Sequence, residues 1–194
     1  MNVKAIVLAA GKSSRMGTNK LLLLFDNKPV LEHILDRLTK YETFVVTGYN
    51  PEDIEKILFK YDIKILHNPD YENGMTSTFK KGLSAIGDNV DAVFLVLGDT
   101  FGFNPELLEK MVNKMESTKA LIISPIYDGK RGHPVLISSK LFPEFMRLDF
   151  NQTLRDLILL HERDHQYVNG DIWTRIDLDT PEDYEKVKKI WSNL

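Results

Sequence analysis

The chain has 194 residues, of which 43% are hydrophobic and 27% charged, with a net charge of −3 and no cysteine. That is enough for one globular domain with a sizeable core, expected over residues 1–194. The same values argue against a disulfide framework, a thiolate metal centre, and the polybasic surface of a protein that coats nucleic acid or docks on a membrane.

In chain order, residues 3–8 form an apolar strand that starts too early and too regularly for a signal peptide. A stripe of Leu31, Ile34, Leu35 and Leu38 predicts a first amphipathic helix, and residues 44–47 a second strand. Ile54, Ile57, Leu58 and Tyr61 predict the next helix, followed by strands at 63–66 and 92–97. Leu107, Leu108, Met111, Val112 and Met115 make a third stripe before a strand at 120–123. Asn50-Pro51-Glu52, Asn104-Pro105-Glu106 and Thr180-Pro181-Glu182 each offer a cap, a first-turn proline and an acid for a helix start. Residues 126–130 and 132–137 read as strands around Asp128-Gly129-Lys130-Arg131, so part of the sheet is expected to be antiparallel. A helix at 153–161, a strand at 173–178 and a helix at 181–191 complete the pattern. Alternation of this kind predicts an α/β fold: a three-layer, doubly wound, Rossmann-like, mixed but mostly parallel sheet, with ligands at the carboxyl ends of its strands. No apolar run is long enough to cross a bilayer, and the expected location is cytoplasmic.

The first strand runs into Leu8-Ala9-Ala10-Gly11-Lys12-Ser13-Ser14-Arg15-Met16-Gly17-Thr18-Asn19-Lys20. Small residues let backbone N–H groups approach an anion, and Lys12, Arg15 and Lys20 are spaced to surround a polyphosphate. The Walker spacing and G-x-G-x-x-G are both absent. At the end of the first strand of an α/β pattern, a phosphate site is favoured over a mobile basic turn.

The strand at 92–97 ends in Gly98-Asp99, where a carboxylate either forms a turn or binds Mg²⁺ beside a phosphate. A second carboxylate is expected from Asp177 or Asp179. Positions two apart share a strand face, so both remain candidates, and Asp179 also stands where it could help cap the last helix. The segment from Asn68 to Ser77 precedes a helix whose apolar face is expected to include Met75, Phe79, Leu83 and Ile86. Gly74 amides and the hydroxyls of Thr76, Ser77 and Thr78 suit the reading of a base edge, and Thr76 or Ser77 equally suits helix capping. Arg131 and His133 could hold an acceptor phosphate, or be a solvated turn charge and a packed ring. His161-Glu162-Arg163-Asp164-His165 matches the zinc-protease pattern, but its charged middle places it on an exposed helix end. With no G-x-S-x-G and no cysteine, the chemistry is expected to need no protein nucleophile.

The stretch from Leu8 to Leu21 resembles the signature of the MobA-like nucleotidyltransferases. Asn68–Ser77, Arg131-Gly132-His133-Pro134-Val135 and Asp177–Tyr184 resemble later segments of the molybdenum cofactor cytidylyltransferase branch. The resemblance implies the fold of the nucleotide-diphospho-sugar transferases and a transfer of a nucleoside monophosphate, CMP from CTP, onto a phosphorylated acceptor, molybdenum cofactor. It implies nucleotide binding by Leu8 to Arg15, Lys20, Gly74, Thr76 and Ser77, catalysis by Arg15, Lys20 and Asp99, and acceptor binding by Arg131 and His133. Mg²⁺ is expected on Asp99 with Asp179 or Asp177, and a molybdenum hydroxylase apoenzyme is an expected partner. After Asp99 the family usually continues with Gln or Met and then Pro, whereas this chain has Thr100-Phe101-Gly102-Phe103. That difference keeps two alternatives open: another acceptor such as a sugar phosphate, or a non-catalytic carrier of the cofactor.

Overall fold

The computed structural model describes residues 1–149 and 152–193. Along the first strand, β1 (Val3–Ala9), Ala5, Val7 and Ala9 join one hydrophobic cluster while Ile6 and Leu8 join another. Both faces of β1 therefore carry apolar side chains into the core, as a strand covered on both faces requires, with Lys4 near its start the one charged residue. A small hairpin of β2 (Leu24–Phe25) and β3 (Lys28–Pro29) leads into α1 (Val30–Arg37). Then come β4 (Glu42–Thr47), α2 (Glu52–Leu58), β5 (Lys64–His67), α3 (Gly74–Leu83) and β6 (Ala92–Leu97). The second half contains α4 (Pro105–Thr118), β7 (Ile122–Tyr127), β8 (Lys130–Arg131), β9 (Val135–Ser138) and α5 (Phe142–Arg147). It closes with α6 (Leu154–Leu160), β10 (His165–Asn169) and α7 (Pro181–Trp191).

The main sheet runs β10-β7-β9-β6-β1-β4-β5, with β8 paired to β7. Only β9 and the short β8 run against the rest, so the sheet is mixed and mostly parallel as expected. The chain leaves β1 for β4 and β5 on one side, then crosses back to β6 on the other. The loops after β1 and β6 thus open a crevice at the carboxyl ends of adjacent strands, where such folds bind ligands.

Several expectations need correction. Residues 173–178 are not a strand: Ile172–Thr174 is a 3₁₀ turn, capped by Asp171, whose Oδ1 accepts from the Trp173 backbone N–H at 3.0 Å. Trp173 is instead a core side chain, edge-on to Phe101 and Trp191. The edge strand is β10, whose His-Gln-Tyr-Val-Asn sequence lacks the apolar run of a central strand. The two runs anticipated at 120–123 and 126–130 are one strand, β7. The turn after it is carried by Asp128 and Gly129, with φ of 48° and 69°. Asn104 and Thr180 do cap their helices, but Asn50 has φ 39° and α2 begins without a side-chain cap. Met75 does not join the apolar face of α3. It is exposed, and Thr78 is buried in its place alongside Phe79 and Leu83.

Candidate active site

The loop after β1 wraps the crevice closely. Ser13 adopts φ 50° and its Oγ accepts from the Lys20 backbone N–H at 3.2 Å, while Met16 N–H donates to the Ser13 carbonyl at 3.0 Å. Asn19 then caps the one-turn helix Lys20–Leu22, which fixes where the Lys20 side chain departs. Gly98 is required at the end of β6, because a Cβ there would lie 2.7 Å from the Leu8 carbonyl oxygen and 2.7 Å from Leu21. This close approach sets Asp99 against the loop.

Lys20 Nζ donates to Asp99 Oδ2 at 2.6 Å and to Asp179 Oδ1 at 3.1 Å. Arg15 covers the other Asp179 oxygen at 2.8 Å. Burial pulls the Lys20 ammonium toward deprotonation, but Asp99 and Asp179 outweigh it and hold its pKa above the ordinary value. Asp177 sits beside them without such a partner among the described residues. Desolvation first, then the Asp99 and Asp179 charges, push its carboxyl up. The structure thus brings all three sequence-predicted carboxylates together, with Asp179 the one that shares Lys20 with Asp99.

A cleft of about 220 Å³ is lined by Leu8, Ala9, Ala10, Gly11, Ser13, Lys20, Leu21, Tyr71, Gly74, Met75, Thr78, Leu97, Gly98 and Asp99. Lys12 stands on its rim, paired with Glu72 and within 5.8 Å of the Tyr49 and 5.7 Å of the Tyr71 ring centroids. Ser14 is exposed. Thr76 and Ser77, expected at the nucleotide base, are not among the residues that line this cleft. They line a separate depression with Asn68 and Lys80. Thr76 Oγ1 donates to the Gln152 carbonyl, and Ser77 Oγ to the Asp70 and Gly74 carbonyls. Their hydroxyls are engaged in local structure, while Gly74 and Thr78 face the cleft.

A second cavity of about 620 Å³ adjoins the first, sharing Met75 and Leu97 with it. Leu95, Val135, Leu154, Ile158 and Leu159 give it apolar walls, and Lys130, Arg131, Arg155 and Arg175 give it positive charge. Arg131 is paired with Glu162 and lies over the Tyr167 ring. Among the described residues, Lys130, Arg155 and Arg175 form no ion pair. His133 and His165 both line this cavity, and each has a buried Nδ1 without a hydrogen-bond partner. Burial pushes both rings toward the neutral form, His165 to about 4. Sequence reasoning did not place Arg155, Arg175 or Ser124 here, and singled out His165 only within the zinc-protease pattern. Arg175 carried one signal, two residues before the acid pair.

The zinc-protease pattern is spread over three elements. His161 caps α6 and bonds Glu144 at 2.8 Å, Glu162 engages Arg131 and Tyr167, and His165 starts β10 facing Ser124 at 2.9 Å. Among the described residues, no group of three His, Cys, Asp or Glu side chains is placed to hold a metal by itself. Asp99 and Asp179 could hold a hard divalent ion only if phosphate oxygens and water supplied its remaining ligands, which is how Mg²⁺ is ordinarily bound. Their donor chemistry fits, and a cation, the Lys20 ammonium, already stands between them.

The segment that departs from the resemblance is core. Phe101 and Phe103 are fully buried, and a Cβ on Gly102 would lie 2.3 Å from the Trp173 ring. Phe101 packs with Phe25, Trp173 and Trp191, tying the β2–β3 hairpin to α7.

A doubly wound sheet with a small-residue loop, three cations and a strand-end carboxylate joined by two loop carboxylates at its switch point defines a protein that handles nucleoside triphosphates. Residues 5–166 match the MobA-like NTP transferase domain, and the chain belongs to that nucleotidyltransferase family. It is 27% identical to the molybdenum cofactor cytidylyltransferase of Escherichia coli, over 99% of this chain and 98% of that protein. It is 26% identical to a probable molybdenum cofactor guanylyltransferase of Natranaerobius thermophilus, over 97% and 96%. In fold it matches the crystal structure of Rv0371c from Mycobacterium tuberculosis with a TM-score of 0.85, at 21% identity over 97% and 98% of the two chains. No described helix is long and apolar enough to cross a membrane.

Proposed function

We propose that this nucleotidyltransferase moves CMP from CTP onto the phosphate of molybdenum cofactor, releasing pyrophosphate. The observation that carries the reading is the pair of adjoining cavities. One is walled by the phosphate loop, Lys20 and Asp99, and the other by apolar side chains and four cations. The triphosphate occupies the first, with Ala10–Ser13 amides and Lys12, Arg15 and Lys20 balancing its charge. The acceptor occupies the second, with Arg131, Arg155 and Arg175 holding its anionic groups. An acceptor phosphate oxygen attacks the α-phosphorus, the α–β anhydride bond breaks, and pyrophosphate leaves with the electron pair. Mg²⁺ on Asp99 and Asp179, when bound, stabilises charge on the phosphates. The protein's own residues position both substrates and exclude water, so no protein nucleophile is needed.

The choice of CTP and of molybdenum cofactor is supported by the E. coli relative matched over the full chain. Against the carrier alternative, Thr100, Phe101 and Phe103 are buried and residues 100–103 line neither cavity, so the departure from the family pattern does not bear on the cavity walls. The test is pyrophosphate release from each of the four nucleoside triphosphates, with molybdenum cofactor and with sugar 1-phosphates as acceptors. Release with CTP and molybdenum cofactor alone is expected. Turnover only with GTP, or only with a sugar phosphate, would replace the substrate pair.

A further inference from the structure

Lys20 stands where the reaction's metal is expected. Its ammonium bridges Asp99 and Asp179, and Arg15 closes the remaining oxygen of Asp179. Asp99 is buried and the Lys20 side chain is 21% exposed, so the Lys20–Asp99 pair is poorly screened by water, while Asp179 and Arg15 are more open. An ammonium and a divalent ion cannot share that space, because two cations at such separation repel strongly in a desolvated site. The same Lys20 side chain also lines the cleft beside Ala10, Gly11 and Ser13, within reach of an anion placed there. A lysine stem has four flexible carbons, so the ammonium can turn from carboxylate to phosphate while its backbone stays tied to Ser13.

Resting on the nucleotidyltransferase reading, we propose that Lys20 is the resident counter-ion of the Asp99–Asp179 pair and gives up that place to the metal only when a triphosphate takes the ammonium. The charge count supports the exchange. Without ligand, Lys20 and Arg15 offset two of the three carboxylates at Asp99, Asp177 and Asp179. A bound triphosphate draws both cations toward itself and leaves the carboxylates facing a polyanion. A divalent ion is then needed between them. Metal and nucleotide therefore bind as a coupled pair, each raising the other's affinity by the same factor.

The test uses Mn²⁺ as the probe, its free concentration read by electron paramagnetic resonance, with and without α,β-methylene-CTP. Binding of Mn²⁺ to the analogue alone is measured separately. The wild-type protein should bind Mn²⁺ weakly by itself and at least about tenfold more tightly with the analogue, a coupling within the usual range. Lys20→Gln should bind Mn²⁺ without nucleotide at least about tenfold more tightly than wild type, and should lose most of the coupling. Asp99→Asn in the Lys20→Gln background should abolish the gain. Arg15→Gln, whose exposed guanidinium carries little of the fold, should show a smaller gain in the same direction. Unchanged or weaker Mn²⁺ affinity in both Lys20→Gln and Arg15→Gln would overturn the exchange, as would a gain that survives loss of Asp99. None of these readings needs turnover. Failure here alongside intact pyrophosphate release removes the exchange and leaves the reaction standing, whereas absence of pyrophosphate release removes the reaction itself.

Discussion

His165 Nε2 lies 2.9 Å from Ser124 Oγ, a pair between β10 and β7 that is buried yet forms part of the wall of the second cavity. Burial holds the His165 pKa at about 4. Arg131 pushes it the same way and Glu162 opposes. An unfolded histidine titrates near 6.5, so between about pH 6.5 and 4 the unfolded chain binds the extra proton. The stabilisation from keeping this ring neutral is therefore full above about pH 6.5 and is lost as pH falls toward 4. Between pH 7 and pH 5 the loss is on the order of 2 kcal/mol. Urea denaturation of His165→Gln at the two pH values should show a flatter pH response than wild type. An equal response in both proteins would mean that His165 does not carry the effect. His133 and His33 are also held down by burial and act in the same direction, so the variant should flatten the response without removing it.

Arg155 on α6 and Arg175 before the acid pair face the second cavity without a carboxylate partner among the described residues. Replacing either by Gln should raise KM for the acceptor about ten- to a hundredfold, the cost of losing a charge-assisted hydrogen bond to an anion. KM for CTP should change little, because neither residue lines the nucleotide cleft. Steady-state kinetics with each substrate varied in turn separates the two. A rise confined to KM for CTP would place these arginines on the wrong substrate.

Phe101 is fully buried among Phe25, Trp173 and Trp191. Phe101→Ala should cost about 3–5 kcal/mol, the range for emptying an aromatic core position. Gly102→Ala should also destabilise, by about 1–3 kcal/mol, since its methyl would overlap the Trp173 ring. Thermal unfolding of the two variants measures both effects. A Gly102→Ala protein as stable as wild type would show that Trp173 can shift freely.

Much of the sheet and the first half of the site were legible because they depend on local pattern. β1 and β6 are continuous apolar runs. The loop from Ala10 to Lys20 announces itself by composition, and Asp99 follows from the end of the apolar strand β6, whereas Asp177 and Asp179 were expected at the end of a strand that does not form, with the choice between them left open. What stayed hidden depends on long-range packing. β10 is an edge strand with a polar sequence, and only its pairing with β7 makes it a strand. Trp173 looked like part of a strand because a sequence does not reveal that Gly102 leaves room for its ring. Thr76 and Ser77 looked free to read a base, but neighbours at Gln152, Asp70 and Asn68 engage their hydroxyls. The second cavity combines residues from β7, β8, β9, α6 and β10, so no single stretch of sequence carries its signature.

Those engaged hydroxyls lead to a further expectation. Thr76→Ala should leave CTP binding within about twofold of wild type, because Thr76 lines the separate depression and not the cleft. Isothermal titration with CTP measures the change. A larger loss in Thr76→Ala would return that residue to the nucleotide site.

Transfer of label is the most direct measurement of the reaction. The protein is incubated with molybdenum cofactor, Mg²⁺ and CTP radiolabelled at either the α- or the γ-phosphate. The α-label should appear on the cofactor and the γ-label in pyrophosphate. Asp99→Ala should reduce both by about two orders of magnitude or more while remaining folded. Tight binding of the cofactor with no label transferred, or transfer undiminished in Asp99→Ala, would contradict catalysis at the Asp99–Lys20 site.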